Sequence, residues 1–100
     1  MAHPSSPDTI QLLVLERREP DLNMARYYVL SIEPSLFGDP TLVREWGRIG
    51  HNGRRIIEIH GNDRDAVLAL DTWLERKLQR GYRLSHQDGR RRSVETSVDT

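Results

Sequence analysis

The sequence predicts an α+β fold, in which one amphipathic helix covers one face of an antiparallel sheet of four to five strands. Four segments with strand-like composition or two-residue alternation come first, over residues 10–17, 26–33, 41–49 and 54–60. A single segment with apolar residues at helical spacing follows them. Because one helix can cover only one face of such a sheet, the other face is expected to stay free for a partner.

The first two strands are separated by a polar turn. An apolar run with a charged end, Ile10 to Arg17, predicts the first strand, and Glu19 to Asn23 predicts a turn. In the second strand, Arg26 to Glu33, the residues Tyr28, Leu30 and Ile32 alternate with Tyr27, Val29 and Ser31. Pro34 to Pro40 contains two prolines and a glycine, which indicates a loop.

A hairpin is expected next. Alternation in the third strand, Thr41 to Ile49, places four residues on one face: Leu42, Arg44, Trp46 and Arg48. Asn52-Gly53 predicts a type I′ turn, because both of these residues tolerate positive φ. The fourth strand, Arg54 to His60, then runs antiparallel to the third.

The helix has a start signal, an apolar stripe and a stop signal. Asn62 can cap it, and the acids Asp63 and Asp65 suit the positive end of the helix dipole. Gly81 supplies the stop. We expect Trp73 in the core, because it lies in the stripe formed by Val67, Leu70, Trp73, Leu74 and Leu78.

Length and composition predict one domain with polar ends. The 100 residues divide into a flexible N-terminus (1–9), a domain (10–84) and a disordered basic and polar tail (85–100). The chain has no cysteine, no apolar run long enough to span a membrane and no signal peptide at its start. We therefore expect a cytoplasmic protein that makes no contact with a membrane.

The net charge is zero, but the charges are unevenly distributed. Residues 44–55 contain four arginines and one acid, and residues 76–92 contain seven basic residues and only one acid. This distribution indicates a basic side and an acidic side, although basic runs of this length are often simply solvated.

The segment around Trp46 indicates a binding surface. Its ring lies between Arg44 and Arg48 in the alternation, and Gly47 leaves the neighbouring position bare. A flat ring flanked by guanidinium groups suits a sugar, a base or a phosphate. The alternative is structural: Trp46 could be half-buried with arginines stacked beside it, and Gly47 and Gly50 could allow a bulge or a close approach.

No pattern of catalytic or metal-binding residues stands out. His3, His51, His60 and His86 lack paired ligand spacing. Asp71 and Glu75 are one helical turn apart without a visible partner. We expect neither a metal nor a cofactor, and a protein that is not an enzyme.

Several segments together resemble a WGR domain. They are residues 27–30 (Tyr-Tyr-Val-Leu), the loop 34–38, residues 44–50 (Arg-Glu-Trp-Gly-Arg-Ile-Gly) and the helix end at 76–82. The resemblance covers residues 10 to 84 and includes far more than the Trp-Gly-Arg triplet. WGR domains occur in DNA-dependent poly(ADP-ribose) polymerases, in bacterial regulators of molybdate metabolism and as short stand-alone bacterial proteins. This chain looks like the last kind.

The resemblance implies a compact α+β fold and nucleic-acid binding. In the polymerases the tryptophan of the domain stacks against a sugar near a DNA break, which implies this role for Trp46. The arginine that matches Arg48 serves there in contacts between domains, so here it could face a phosphate, a partner protein or its own fold. ADP-ribosyl transfer is not implied, because the chain has no room for zinc fingers or a catalytic domain.

The sequence therefore predicts a non-catalytic module that binds DNA or RNA, through the DNA backbone or DNA ends. The alternative is a protein-interaction or scaffolding module. Three adjacent arginines, Arg90 to Arg92, could add electrostatic affinity, or Val94 and Val98 could dock the tail on the fold. The predicted nucleic-acid-binding residues are Trp46, Arg48, Arg44, Arg54, Arg55, Arg76, Lys77 and Arg80.

Overall fold

A computed structural model describes residues 11–89 and confirms the α+β fold. One helix packs against a five-stranded antiparallel sheet, whose strand order is β4-β3-β2-β1-β5. A single 3-10 turn, Pro20–Leu22, joins the first two strands. The elements are β1 (Gln11–Glu19), β2 (Met24–Pro34), β3 (Pro40–Arg48), β4 (Arg54–Ile59), helix α1 (Asp63–Gln79) and β5 (Arg83–Gly89).

The core lies between α1 and the sheet. Ala66 and Leu70 of the helix are fully buried, and the helix contacts mainly β2 and β3. Ala66 and Leu70 pack against alternate residues of the three central strands, β1, β2 and β3. This burial of apolar surface stabilises a two-layer fold of this kind. The sheet contributes Leu13, Leu15, Tyr28, Leu30, Ile32 and Leu42 to this core.

Both predicted ends of the helix are confirmed. The Asn62 side chain accepts a hydrogen bond from the backbone N–H of Asp65 at 2.8 Å, which caps the first turn. At the other end Gly81 adopts φ +96°, and the N–H groups of Gly81 and Tyr82 donate to the carbonyls of Leu78 and Lys77. This Schellman arrangement reverses the chain and brings Tyr82 back against the sheet.

The type I′ turn predicted at Asn52-Gly53 is wrong. Neither residue has positive φ. Five residues, 49–53, connect the two strands, and the last β3–β4 pair is Trp46 with Arg54. The tight turn lies earlier: the N–H of His51 donates to the carbonyl of Arg48, and Gly50 has φ +88°. Positive φ at the third position is typical of a type II turn. The packing of the loop against Trp46 and Tyr27, and not the local preference of the Asn52-Gly53 dipeptide, decides where the turn lies.

The disordered tail predicted to begin at Ser85 is corrected over residues 85–89, which belong to β5. His86, Gln87 and Asp88 pair with Val14, Leu13 and Leu12 of β1, and a register shift between Val14 and Leu15 separates these pairs from the pair of Leu15 with Leu84. The segment has few apolar side chains, so composition gave no strand signal, and backbone pairing with the open edge of β1 decides its structure. Residues 90–100, with the predicted roles of Arg90 to Arg92 and of Val94 and Val98, lie outside the described residues.

This pairing makes β5 part of the stable fold. A chain that ends at Ser85 loses the pairs of β1 with His86, Gln87 and Asp88 and exposes the edge of β1. We expect it to melt about 5 °C or more below a chain that ends at Gly89. Thermal denaturation of the two truncated chains, followed by circular dichroism, measures the difference. Equal melting temperatures would contradict a stabilising role for β5.

Candidate nucleic-acid interface

Four aromatic rings form a cluster on the helix-covered face of the sheet, near the C-terminal end of α1. Tyr28 lies at its centre, stacked on Trp46 at a centroid distance of 5.6 Å and on Trp73 at 6.3 Å. Tyr82 meets the Tyr28 ring edge-on at 6.2 Å. Four parts of the fold supply these rings: the neighbouring strands β2 and β3 hold Tyr28 opposite Trp46, the helix supplies Trp73, and the turn after the helix supplies Tyr82.

Trp46 belongs both to the fold and to its surface. It follows Leu15 and Tyr28 in one cross-strand row, and its half-buried ring packs against the core. The side chains predicted to share one face of β3 become more exposed along the strand: Leu42 is fully buried, Trp46 is half-buried and Arg48 is exposed. The structural alternative for Trp46 therefore holds in part, since its packing contributes to stability.

Arg44 is held inside this cluster by its own fold. Its guanidinium donates to the Tyr28 hydroxyl at 3.1 Å, pairs with Glu58 Oε2 at 3.0 Å and lies 4.0 Å above the centre of the Trp73 ring. The same group is 5.5 Å from the centre of the Trp46 ring, and its side chain is only 11% exposed. Arg44 therefore acts as a charged spacer that sets the distance between the two tryptophans.

The protonation states within this group are well defined. Burial raises the pKa of Tyr28, and this outweighs the opposing effect of Arg44. Burial by itself would lower the pKa of Arg44, but its bonds and charge interactions with Tyr28 and Glu58 raise it. At neutral pH the tyrosine is thus a neutral acceptor and the arginine a cation, as their hydrogen bond requires.

The last turn of α1 adds further cations to the same surface. The Arg76 guanidinium lies 4.9 Å from the centre of the Trp73 ring, and Lys77 Nζ lies 4.5 Å from that of Tyr28 and 5.6 Å from that of Tyr82. Burial, together with the charges of Arg80 and Arg44, lowers the pKa of Lys77. An open depression of about 550 Å³ is lined by Trp73, Arg76, Lys77, Gln79 and Arg80.

The arginines of the hairpin are divided between the two faces of the sheet. Arg54 lies directly opposite Trp46 and shares its face, whereas Arg55 lies opposite Glu45 on the other face. The sequence predicted that both Arg54 and Arg55 bind nucleic acid, but the structure places them on opposite faces of the sheet. Arg48 lies beyond Trp46 on the helix-covered face and contacts the Asn23 carbonyl at 3.4 Å.

Comparisons with known proteins show the family of this chain. The family model of the WGR domain matches residues 11–89. The chain belongs to the WGR domain family. It is also 51% identical, over 71 residues, to the uncharacterized protein y4dW of Sinorhizobium fredii. That match covers 71% of this chain and 35% of the relative, so the chain spans about a third of its length. No solved structure matches the chain.

The structure explains the glycine of the WGR triplet, Trp46-Gly47-Arg48. The loop after β3 folds back so closely that a Cβ on Gly47 would lie 2.8 Å from Gly53 Cα and 3.2 Å from the Tyr27 hydroxyl. A Cβ on Gly53 would collide with the backbone carbonyl of Trp46 and with Tyr27. Close approach of two backbone segments thus requires both glycines, in agreement with the structural reading of Gly47.

Sequence reasoning missed part of this WGR surface. Trp73 packs against the core as expected, but it also lines the depression. Arg17 and Arg26 were not singled out, although they lie across from one another and beside Arg48, in a row of three arginines. These three arginines are neighbours only because β1, β2 and β3 pair in this register, which the order of residues alone does not reveal.

Two absences hold for the part of the WGR domain that the structure describes. Over residues 11–89 no helix is long and apolar enough to cross a membrane. Within the same residues, no group of three or more histidine, aspartate or glutamate side chains is arranged to hold a metal ion.

Proposed function

We propose that this WGR domain is a non-catalytic nucleic-acid-binding module that contacts the backbone or the ends of DNA. One observation carries the proposal: four aromatic rings and the cations of the last helical turn occupy one surface. Rings offer stacking to sugars and bases, and cations offer contacts to phosphates, so their combination fits a nucleotide better than either alone. Membership of the WGR family is consistent with nucleic-acid binding in general.

Within this proposal the site residues have different roles. Trp46 stacks on a sugar or base, and the cations on its side of the sheet contact phosphates. Arg44 holds the rings apart, since Glu58 and Tyr28 already engage its guanidinium. Arg55 lies on the opposite face and could reach a phosphate only around the edge of the sheet. The proposed phosphate-contacting residues are Arg48, Arg54, Arg76, Lys77 and Arg80.

Backbone and shape recognition fits the helix better than base readout. The start of α1 carries the acids Asp63 and Asp65, and its apolar stripe packs on the sheet except at Leu78, which is exposed. A helix anchored in this way cannot lie deep in a major groove, where base edges are read. We therefore expect binding with little dependence on base sequence, to DNA or to RNA.

A protein-interaction module is the second candidate function, and a separate surface favours it. Leu36 and Phe37, in the loop between β2 and β3, are 93% and 88% exposed. Ile57 and Ile59 are also exposed, on the edge strand β4 and on the face away from the helix. Exposed apolar side chains of this kind are typical of protein contacts.

One titration separates the two functions. Fluorescence anisotropy with blunt, nicked and single-stranded DNA, each at two salt concentrations, tests for saturable and salt-sensitive binding. Tightest binding to the nicked or blunt duplex would support recognition of ends. No binding to any of these DNAs at low salt would contradict the proposed function and favour a protein partner.

Arg54 and Arg55 provide a matched pair for locating the interface. Both are exposed arginines of β4, and alanine at either removes the same charge from opposite faces. We expect Arg54→Ala to weaken DNA binding severalfold and to reduce the salt slope by about 0.9, which is one phosphate contact on duplex DNA. Arg55→Ala should leave the slope nearly unchanged. The reverse result would place the interface on the uncovered face of the sheet.

A further inference from the structure

Lys77 differs from every other basic side chain of this protein. It is the one lysine in a chain with 15 lysines and arginines. Its amine lies over the rings of Tyr28 and Tyr82, and the residue lines the depression shared with Arg76 and Arg80. Arginine stays protonated and is a poor nucleophile, whereas a lysine amine can react when it is neutral. The depression therefore combines one nucleophile with two cations.

We propose that Lys77 is an acylation site, and that the acyl donor is a small acyl phosphate held by Arg76 and Arg80. Guanidinium groups bind phosphates well; Arg76 lies beside Lys77 in the last turn of α1, Arg80 is the residue that caps this helix, and all three line the depression. A donor bound through its phosphate would place its acyl carbon within the depression that Lys77 lines. Proximity of this kind raises the rate of a bimolecular step.

The environment of the amine also favours the reactive form. Burial, and then the charges of Arg80 and Arg44, lower the pKa of Lys77. A larger fraction of this amine is consequently neutral at a given pH than for a lysine free in water. Tyr28 and Tyr82, the other groups that face it, offer their ring faces and not a negative charge.

The chemical step is balanced without an oxidant or a reductant. The lone pair of the neutral Lys77 Nζ attacks the acyl carbon, and a C–N bond forms. The bond between the acyl carbon and the bridging oxygen breaks, and inorganic phosphate leaves with that electron pair. The proton released from nitrogen passes to solvent. The product is an uncharged amide at the centre of the basic surface, with no remaining ammonium to face a phosphate.

The test uses acetyl phosphate at neutral pH, with Nα-acetyl-lysine amide in the same solution as the reference amine. Peptide mass spectrometry separates acetylation of Lys77 from that of the N-terminal amine. We expect Lys77 to react at least about threefold faster than the reference amine. No excess over the reference amine would overturn the proposal.

A second reagent isolates the role of the arginines. Removing Arg80 also changes the pKa of Lys77, so the informative quantity is the rate with acetyl phosphate divided by the rate with acetic anhydride, which carries no phosphate. Arg76→Ala with Arg80→Ala should lower this ratio by at least about threefold. Arg64→Ala, which removes an exposed arginine at the opposite end of α1, should leave it unchanged. An unchanged ratio in the double variant would overturn the docking of the donor.

The functional consequence rests on the proposed function. Acetylated protein should bind DNA severalfold more weakly than untreated protein, whereas the same treatment of Lys77→Arg should not change that variant's own affinity. If acetylated and untreated protein bound DNA equally, Lys77 would not belong to the interface. If untreated protein bound no DNA, the proposed function would fail, while the rates at Lys77 would still decide the acylation.

Discussion

Replacing Gly53 by alanine is expected to destabilise the fold by about 2 kcal/mol or more, because among the glycines of residues 11–88 it is the one where an added Cβ would make the shortest contacts. The new Cβ would overlap the carbonyl carbon and oxygen of Trp46 and the hydroxyl of Tyr27. The first two atoms belong to the backbone of a central strand, so they cannot rotate away as a flexible side chain could. The loop would have to separate from β3, which would disturb the position of Trp46.

Gly61 provides the control for this substitution. It is exposed, its φ is not positive, and a Cβ there would meet nothing within 4 Å. Gly61→Ala should therefore be neutral or slightly stabilising, because it reduces the freedom of the unfolded chain. Chemical denaturation of both variants measures the two free energies of unfolding. Similar stabilities for Gly53→Ala and Gly61→Ala would show that the loop can move away at little cost.

Trp46→Leu is expected to weaken binding to DNA by about tenfold or more, since stacking on one base or sugar contributes about 1–3 kcal/mol. Leucine keeps an apolar side chain against Tyr28 and the core, so the loss of stability should be smaller than for Trp46→Ala. Because the ring is half-buried, alanine would reduce stability and affinity together. Binding by the leucine variant, measured below its melting temperature, separates the two effects.

Phe37 is the matched aromatic control for Trp46. Its ring is 88% exposed in the loop between β2 and β3 and takes no part in the aromatic cluster around Tyr28. Phe37→Ala should leave both melting temperature and DNA affinity unchanged. Wild-type affinity in Trp46→Leu combined with weakened binding in Phe37→Ala would contradict the proposed site and move the interface to that loop.

Local patterns were sufficient for most of the fold. Period-two alternation identified β2 and β3, and an apolar run identified β1. The apolar stripe, the cap at Asn62 and the stop at Gly81 identified the helix. These features depend on contacts between residues near one another in sequence, or on one buried face, and both leave a direct record in residue order. The WGR resemblance rested on the same segments, and the family match confirms it.

Strand register and loop packing, in contrast, could not be predicted from the order of residues. The dipeptide Asn52-Gly53 favours a type I′ turn by itself, but the close approach of Gly53 to Trp46 required a different loop. The polar segment of β5 pairs only because β1 leaves an open edge beside it. In both cases contacts outside the local segment decide the conformation: the loop packs against Trp46 and Tyr27, and β5 pairs with β1.

The sequence by itself determined the fold class, the helix with both its ends and the WGR motif that begins at Trp46. Only the tertiary structure decided which charged side chains share its surface. Adjacent arginines in β4 face opposite sides, and Arg44 is engaged by Glu58, which lies 14 residues away in the chain. Composition counts charges along the chain, whereas a binding surface depends on the direction of each side chain and on the partners that already hold it.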